Sequence, residues 1–417
     1  MPTDYLFAQS EVISKKLPEF FGRWDVASNL IKKAAKVDRI GERDYRSNFL
    51  TQDGGRSGTY SPAGGALGRG TAAKGSTMIG TFFSLRRNYE LQELAVKATA
   101  ESQVSQLNAL KRAMKTGLPN FAQFVDQAWH SDRTAVIATA TAQATVSSKT
   151  VYTMDTTTGV QLLERGQYVQ VYDNALANLL GVSGGTLPVA IEQIDYENRK
   201  VYLSGLIASA GNTDKLCFDG VSGASPLGLN GLYYFNNYAL TGYTLGVNRA
   251  TELELVTNSV DAAGVPTPMK GLQLWHKILK RRKEVPKDLV LLVPPDQQAN
   301  LFQNVLNIAN VDLSKGSVSD DLIPEAKLKW RVFGLPAYLD VHQRSDRIDA
   351  IIPSLWSRMR LADVGFHEVG NVRFFTLYDS GGSPAATLWF GLTVHEDYIC
   401  HNPGAQGVIY GCTAASY

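Results

Sequence analysis

Between Thr51 and Gly80 the chain carries nine glycines in thirty residues, with Arg56, Arg69 and Lys74 set among them. Glycine has no Cβ to restrict φ, so every one of them makes an ordered element more costly to form. The flanks are different. VDRIGERDYRSNF before and TMIGTFFSLRRNY after are rich in strand-forming residues, and Ile79, Phe83, Leu85 and Tyr89 recur at period two, on one face of the second strand. The pattern predicts a two-stranded arm over about residues 37–90, tipped by about 26 flexible residues. At ~3.3 Å per residue such an arm reaches roughly 60–80 Å, several times the radius of a ~100-residue domain. A lone hairpin of that length is marginal in water, so the arm is expected to lie on another subunit, with Arg56, Arg69, Lys74 and Phe83 as contact residues.

A glycine-rich loop with basic residues also invites a phosphate reading, which the order of residues opposes. A P-loop needs its lysine after the second glycine, between a buried strand and a helix; here Lys74 precedes Gly75. Gly68–Ala73 fits GxGxxG/A but has no strand leading in and no helix leading out. Gly181–Gly185 fits the GxSxG elbow around Ser183, yet TLPVAIEQI follows where the elbow needs a helix. A hydrolase using Ser183 is therefore the reading from a different class, and it depends on a helix directly after Gly185. His395, Cys400, His401 and Cys412 are the one cluster of metal-capable side chains in the sequence, but their spacing lacks the paired ligands of a structural zinc site. They read as buried or interface residues on terminal strands, and no metal or cofactor is predicted. Lys277 and Lys280–Lys283 close a predicted helix, where cations complement the helix dipole. No triad spacing is visible, and the chain is not read as an enzyme.

Lysine plus arginine (41) nearly balance aspartate plus glutamate (39), for a net charge of +2, so any contact with nucleic acid must be local. Three scattered cysteines suit a reducing compartment. The N-terminus lacks a signal-peptide pattern and no window approaches a membrane span, so a soluble, cytoplasmically assembled protein is expected. Residues 1–36 hold apolar clusters that include Trp24 and a short helical piece, too little to form a core, and must lie on something else. After the arm, ELQELAVKATAESQVSQLNALKRAMKTG has helical spacing, interrupted at Gly117 and Pro119 and resumed in NFAQFVDQAW. QYVQVYD, VAIEQID and KVYLSG read as strands of a small antiparallel unit with a turn at 196–199, and 218–268 as a long structured loop. The last third mixes helices (GLQLWHKILKRRK, DQQANLFQNVLNIA) with a buried strand DLVLLVPP (288–295) and strands near 330–333, 337–341, 350–352, 373–378 and 387–395.

That order of parts resembles the major capsid proteins of tailed bacteriophages, the Hong Kong 97-type fold. After the spine, SDRTAVIAT at 131–139 is similar to the family's exit into the peripheral sheet, 231–256 and the helix after it to the approach and opening of the axial domain, and LTVHEDYICHNPGAQGVIYGC to the strand that returns to the peripheral domain. The resemblance implies an α+β chain divided into an N-arm (1–36), an extended loop (37–90), a peripheral part with the spine helix (91–150), an inserted small β domain (151–217), a connecting loop (218–268), an axial domain (269–386) and a returning strand (387–417). It implies a shell of hexamers and pentamers around double-stranded DNA. Trp24 joins the intersubunit contacts, and Lys32, Lys33 and Lys36 are the candidate DNA contacts. Scaffolding protein, portal and a decoration protein are the implied partners, with no membrane. In some members a loop lysine is linked to a neighbour's asparagine; Lys74 with Asn402 or Asn371 would be the counterparts here, but such chemistry needs a buried lysine. An encapsulin-like compartment shares the fold and is the nearer alternative.

Overall fold

The computed structural model describes residues 38–39, 44–52, 72–92, 103–156, 159–183, 188–220, 227–282, 288–308, 329–332, 335–370, 372–378 and 384–413. In chain order, β1 (Asp38–Arg39), β2 (Asp44–Gln52), β3 (Lys74–Thr81) and β4 (Phe83–Gln92) precede the long helix α1 (Gln103–Trp129). Six strands follow: β5 (Val136–Val146), β6 (Lys149–Met154), β7 (Tyr168–Tyr172), β8 (Val189–Asp195), β9 (Lys200–Leu203) and β10 (Lys215–Phe218). A single helical turn α2 (Leu232–Phe235) leads to β11 (Tyr243–Thr244), β12 (Val247–Asn248) and β13 (Asn258–Gly264). Then come α3 (Pro268–Arg282), β14 (Val290–Val293), α4 (Pro295–Ile308), β15 (Lys329–Val332), β16 (Leu335–Leu339) and β17 (Arg347–Ile351). The chain closes with β18 (Trp356–Phe366), β19 (Phe375–Tyr378), β20 (Pro384–Cys400) and β21 (Gly407–Cys412). This is a mixed α+β chain dominated by strands. It divides into two units, neither continuous in sequence.

The described part of the first unit comes from residues 81–129 and 357–398. Its four-stranded sheet is organised by β20, which pairs with β4, β18 and β19. Against this sheet α1 presents Met114, Leu118, Phe121, Ala122 and Val125, spaced by threes and fours, and these bury against Val364, Phe366, Phe374, Phe390, Leu392 and Val394. Full burial of each such side chain contributes about 1.5–3 kcal/mol, so the face as a whole outweighs one imperfect turn. This explains why α1 runs unbroken through Gly117 and Pro119, where the sequence predicts an interruption. The Tyr89 hydroxyl donates to the Gly117 carbonyl at 2.6 Å and Arg87 Nη1 to the Asn120 carbonyl at 3.0 Å. Side chains of β4 thus serve carbonyls on either side of Pro119, which has taken an amide donor out of the ladder. A Cβ at position 117 would come within 2.7 Å of the Tyr89 ring, so glycine is what permits the approach.

The sequence reading runs β3 and β4 together as one strand. In the structure Phe82 separates them and they change partner: β3 joins β2, whereas β4 pairs with β20 over ten positions, from Phe83↔Glu396 to Gln92↔Thr387. Leu85 and Tyr89 therefore face the α1 core while Ile79 stands 51% exposed. Leu91, counted with the helix in the sequence, lies in β4.

The second unit takes its described residues from 38–80, 130–356 and 399–413. β5 to β10 close into a barrel in the order β10-β5-β6-β9-β8-β7, filled by Val169, Val171, Val189, Ile191, Val201, Leu203 and Leu216. It starts at Val136, not at residue 151, because β5 pairs with both β6 and β10 and no barrel closes without it. A second sheet runs β13-β21-β17-β14-β16-β15, with Leu274 and Ile278 of α3 and Leu301 of α4 in its core. The sequence-based boundary at 386 cuts across this arrangement. Residues 357–398 group with the first unit, and the final strand β21 pairs with β13 and β17 in the second.

One charged node stabilises the first unit. Glu396, fully buried, accepts from Arg358 Nε and Nη2 at 2.8 and 2.9 Å, from Arg360 Nε at 2.9 Å and from the Tyr398 hydroxyl at 3.2 Å. Burial alone would raise its pKa, but Arg358 and then Arg360 outweigh it and hold the carboxyl below the usual glutamate range. A depressed carboxyl contributes stability above its unfolded pKa and loses it as pH falls through the folded value. Glu396→Gln, which leaves two guanidinium groups short of a counter-charge, should cost about 3–5 kcal/mol at neutral pH. In thermal melts followed by circular dichroism, the gap between wild type and variant should narrow once the pH drops below about 4; a gap independent of pH would refute this account of Glu396.

Candidate assembly interface

The described strands of the arm, β1 to β3, form one antiparallel sheet in the order β1-β2-β3, with Asp38 opposite Arg46. β3 turns Met78 and Gly80 inward and Thr77, Ile79 and Thr81 outward. Tyr45 on β2 and Met78 are fully buried. A Cβ on Gly80 would fall 2.2 Å from the Tyr45 ring, so this glycine is set by close approach and not by an unusual φ. Thr77 Oγ1 donates to Asn48 Oδ1 across the two strands at 3.2 Å.

Hydrogen-bonding contacts tie the base of the arm to the rest of its unit. The Ile79 amide donates to the Leu245 carbonyl at 3.2 Å, and Ser47 Oγ lies 3.4 Å from His401 Nδ1. Leu245 and Gly246 both have positive φ, 46° and 87°, which makes the two-residue β11–β12 connection a turn matched to strand twist. The Leu245 amide in turn donates to the Tyr234 hydroxyl at 2.7 Å, fixing the turn to α2. Ile79 is about half exposed, and Leu240 and Tyr243, in the segment that leads into this turn, are 61% and 62% exposed. Single exposed apolar residues need no explanation, but a strand and the loop before its anchoring turn that both turn such residues outward form an interface candidate.

Among the predicted contact residues, Lys74 opens β3 and is exposed, so it has none of the burial that a cross-linking lysine requires. Phe83 opens β4, half-buried, in register with Glu396. Trp24, Lys32, Lys33, Lys36, Arg56, Arg69 and Asn371 lie outside the described residues. Sequence reasoning missed Leu240 and Tyr243, which sit in a Gly-, Asn- and Tyr-rich segment without periodicity, and grouped Ile79 with Leu85 and Tyr89, from which the change of partner between β3 and β4 separates it. The signal was the run of tyrosines itself, residues with an apolar body and a polar tip suited to interfaces.

The chemical motifs resolve into structural roles. Ser183 donates its amide to the Leu206 carbonyl at 2.7 Å, and the next described element is strand β8 at Val189, not the helix a nucleophile elbow requires. Lys277 Nζ donates to the Ser259 carbonyl at 2.5 Å, and Arg281 Nη1 to the Val256 carbonyl at 2.6 Å with Glu254 at 3.6 Å. These two cations of the basic run fasten α3 to its own unit. Among the described residues, His395, Cys400, His401 and Cys412 form no metal-capable group; His395 Nδ1 lies 2.6 Å from Ser84 Oγ. All three cysteines are buried and unbridged, and burial pushes their thiols up to about 12. Among the described residues no helix is long and apolar enough to cross a membrane.

No family model and no curated protein matches the chain. Solved structures do. The chain is similar to a chain of the cyanophage A-1(L) capsid asymmetric unit, at 11% identity over 93% of this chain and 92% of that one, TM-score 0.48. It is similar to a chain of the satellite phage P4 procapsid, at 10% identity over 96% and 90%, TM-score 0.46. It is also similar to a chain of a virus-like particle from Pyrococcus furiosus, at 7% identity over 96% and 98%, TM-score 0.40.

Two outcomes follow from the side-chain environments. Gly80→Ala should lower the melting temperature of the unassembled chain by several degrees through its clash with Tyr45, whereas Ile79→Ser, on the exposed face, should stay within about 0.5 kcal/mol of wild type; calorimetry that reversed the order would refute the facing assigned to β3. With a thiol reagent such as DTNB, the native chain should react at fewer than one site, and the denatured chain at all three.

Proposed function

We propose that the chain is a shell subunit, the major capsid protein of a tailed bacteriophage with the Hong Kong 97-type fold. The observation that carries this reading is the arm. β2 alone spans nine residues, about 30 Å, and the burial described in the β1–β3 sheet lies at Tyr45, Ser47, Met78 and Gly80. The described residues of β3 before Met78 are exposed or half-buried, and its outward face carries Ile79. A strand pair that extends beyond the surface its own chain can offer gains burial only from a neighbour.

In this reading arms from neighbouring subunits lie over one another within hexamers and pentamers, and many modest contacts sum to a closed icosahedral shell. The arm, with Arg56, Arg69 and Lys74 toward its tip, and the N-terminal segment with Trp24 supply intersubunit contacts. The near-neutral net charge suits an inner wall that does not hold double-stranded DNA tightly, with Lys32, Lys33 and Lys36 as local phosphate contacts. A scaffolding protein and a portal would act during assembly in the host cytoplasm, and a decoration protein could bind outside. The role is mechanical.

Negative-stain electron microscopy of the expressed full chain, alone and with a co-expressed scaffolding protein, tests the proposal. Closed particles of uniform size are expected, and Ile79→Asp should leave a folded, soluble chain that no longer forms them. Monomers under every assembly condition, or particles unaffected by any change along the arm, would count decisively against it.

A further inference from the structure

Directly after β12 stands Arg249, a buried cation without a counter-charge. Among the described residues Arg249, Arg347 and Arg358 are the buried arginines, at 8%, 8% and 5% exposure. Arg347 pairs with Asp349 and Arg358 with Glu396, each through two nitrogens. No described residue supplies such a carboxylate to Arg249, whose Nε is closed off from solvent without a hydrogen-bond partner. Burial pulls its pKa below the usual arginine value, opposed by the Tyr234 phenol. Arg347 feels the same pull of burial, but Asp349 outweighs it and holds that guanidinium above the usual value.

Tyr234 cannot stand in for the missing acceptor. Its hydroxyl oxygen already accepts from the Leu245 amide at 2.7 Å and from Arg133 Nη1 at 3.2 Å, and its proton goes to the Tyr243 carbonyl at 3.4 Å. Arg133 thus adds a second guanidinium at this tyrosine, with Cζ 5.5 Å from the ring centre, and its Nε is likewise buried without a partner. Asp132, next to it in sequence, accepts from the Thr134 amide at 3.0 Å instead. The Arg249 amide donates to the Gly242 carbonyl at 3.0 Å, and a Cβ on Gly242 would fall 2.5 Å from Arg249 Nη2. Gly242 is exposed, with φ 98°, so its missing side chain leaves the end of the fork open.

A solvated end accounts for the Nη atoms but not for the sealed Nε, and a lone buried charge is costly. A planar fork of donors without an acceptor fits a carboxylate, which takes two of its N–H groups at once. Tyr243, exposed on the same hairpin, points to a protein as the source, since tyrosine and arginine together mark the centres of protein contacts. The hairpin also receives the arm, through the Ile79 amide on the Leu245 carbonyl.

We propose that Arg249, supported by Arg133, is a socket for an aspartate or glutamate side chain of a second copy of this chain, so that a neighbour clamps the hairpin that anchors the arm. The proposal rests on the shell reading.

The test co-assembles particles from unlabelled Arg249→Lys chain and ¹⁵N-labelled wild type and treats them with a carbodiimide, which couples an amine to a carboxylate in contact with it. Mass spectrometry should find unlabelled position 249 joined to a labelled Asp- or Glu-bearing peptide, in particles and not in unassembled chain. Arg249→Met should leave the melting temperature of the unassembled chain unchanged or raised, because it removes a charge without a partner, yet lower that of particles. Position 249 uncoupled in particles, or coupled only within its own chain, would overturn the socket and leave the shell standing. A wild-type chain that forms no particles would remove the shell reading and the socket with it. A marked fall in the melting temperature of unassembled Arg249→Met would mean that the cation is satisfied within its own chain. Acetate or phosphate bound by the unassembled wild type and not by Arg249→Met, with both forming equally stable particles, would assign the fork to a free anion and sink the proposal.

Discussion

The pairing of β4 with β20 is the constraint on which the rest depends. It joins residues separated by about 300 positions, and the sheet it builds is the surface on which α1 lies. The strand that completes it continues directly toward β21, which in turn sits between β13 and β17 in the other sheet. The last thirty or so residues therefore finish both units. Neither sheet can be completed until the chain's C-terminal part is present, and closing loops of that length costs entropy before any contact rewards it.

The buried charges show how the two units tolerate polar groups where apolar ones would be cheaper to bury. Glu396 is held by two arginines and a tyrosine in the first unit; in the second, Arg347 contacts Asp349 through both Nε and Nη2 and lies 4.6 Å over the Tyr233 ring, while Nη2 also donates to the Asn236 carbonyl at 2.9 Å. Each network is nearly saturated with partners. Such nodes add little net stability over a hydrophobic substitute, but they penalise any other register, because a slip strands a charge without its counterpart. Strand register is what a sheet built from distant segments most needs to specify.

This is also where the sequence misleads. Strands β7, β8 and β9, the turn with Arg199 at φ 53°, and the α3–β14–α4 succession are legible because apolar periodicity and turn residues agree. β18 is not, since Arg358 and Arg360 make a buried strand look solvent-facing. The β5–β6 hairpin turns on Ser147 and Ser148, both at positive φ without the usual glycine or asparagine, and so leaves no turn signal. The partner change between β3 and β4 leaves the period unaltered and is invisible to any periodicity argument. Of the candidate interface, the arm as a whole is legible, whereas its anchoring at Leu245 depends on a contact across 166 positions.

Glycine within the arm has at least two meanings, and Gly80 separates them. Its φ is not in the left-handed region; what it supplies is the missing Cβ that lets Tyr45 lie flat on the neighbouring strand. That is a rigid use of glycine, fixing strand against strand at the arm's base. The sequence reading gives the glycines at 54–70 the second meaning, freedom in φ. A base ordered by close packing gives up less entropy on binding a partner than a hairpin flexible along its whole length would.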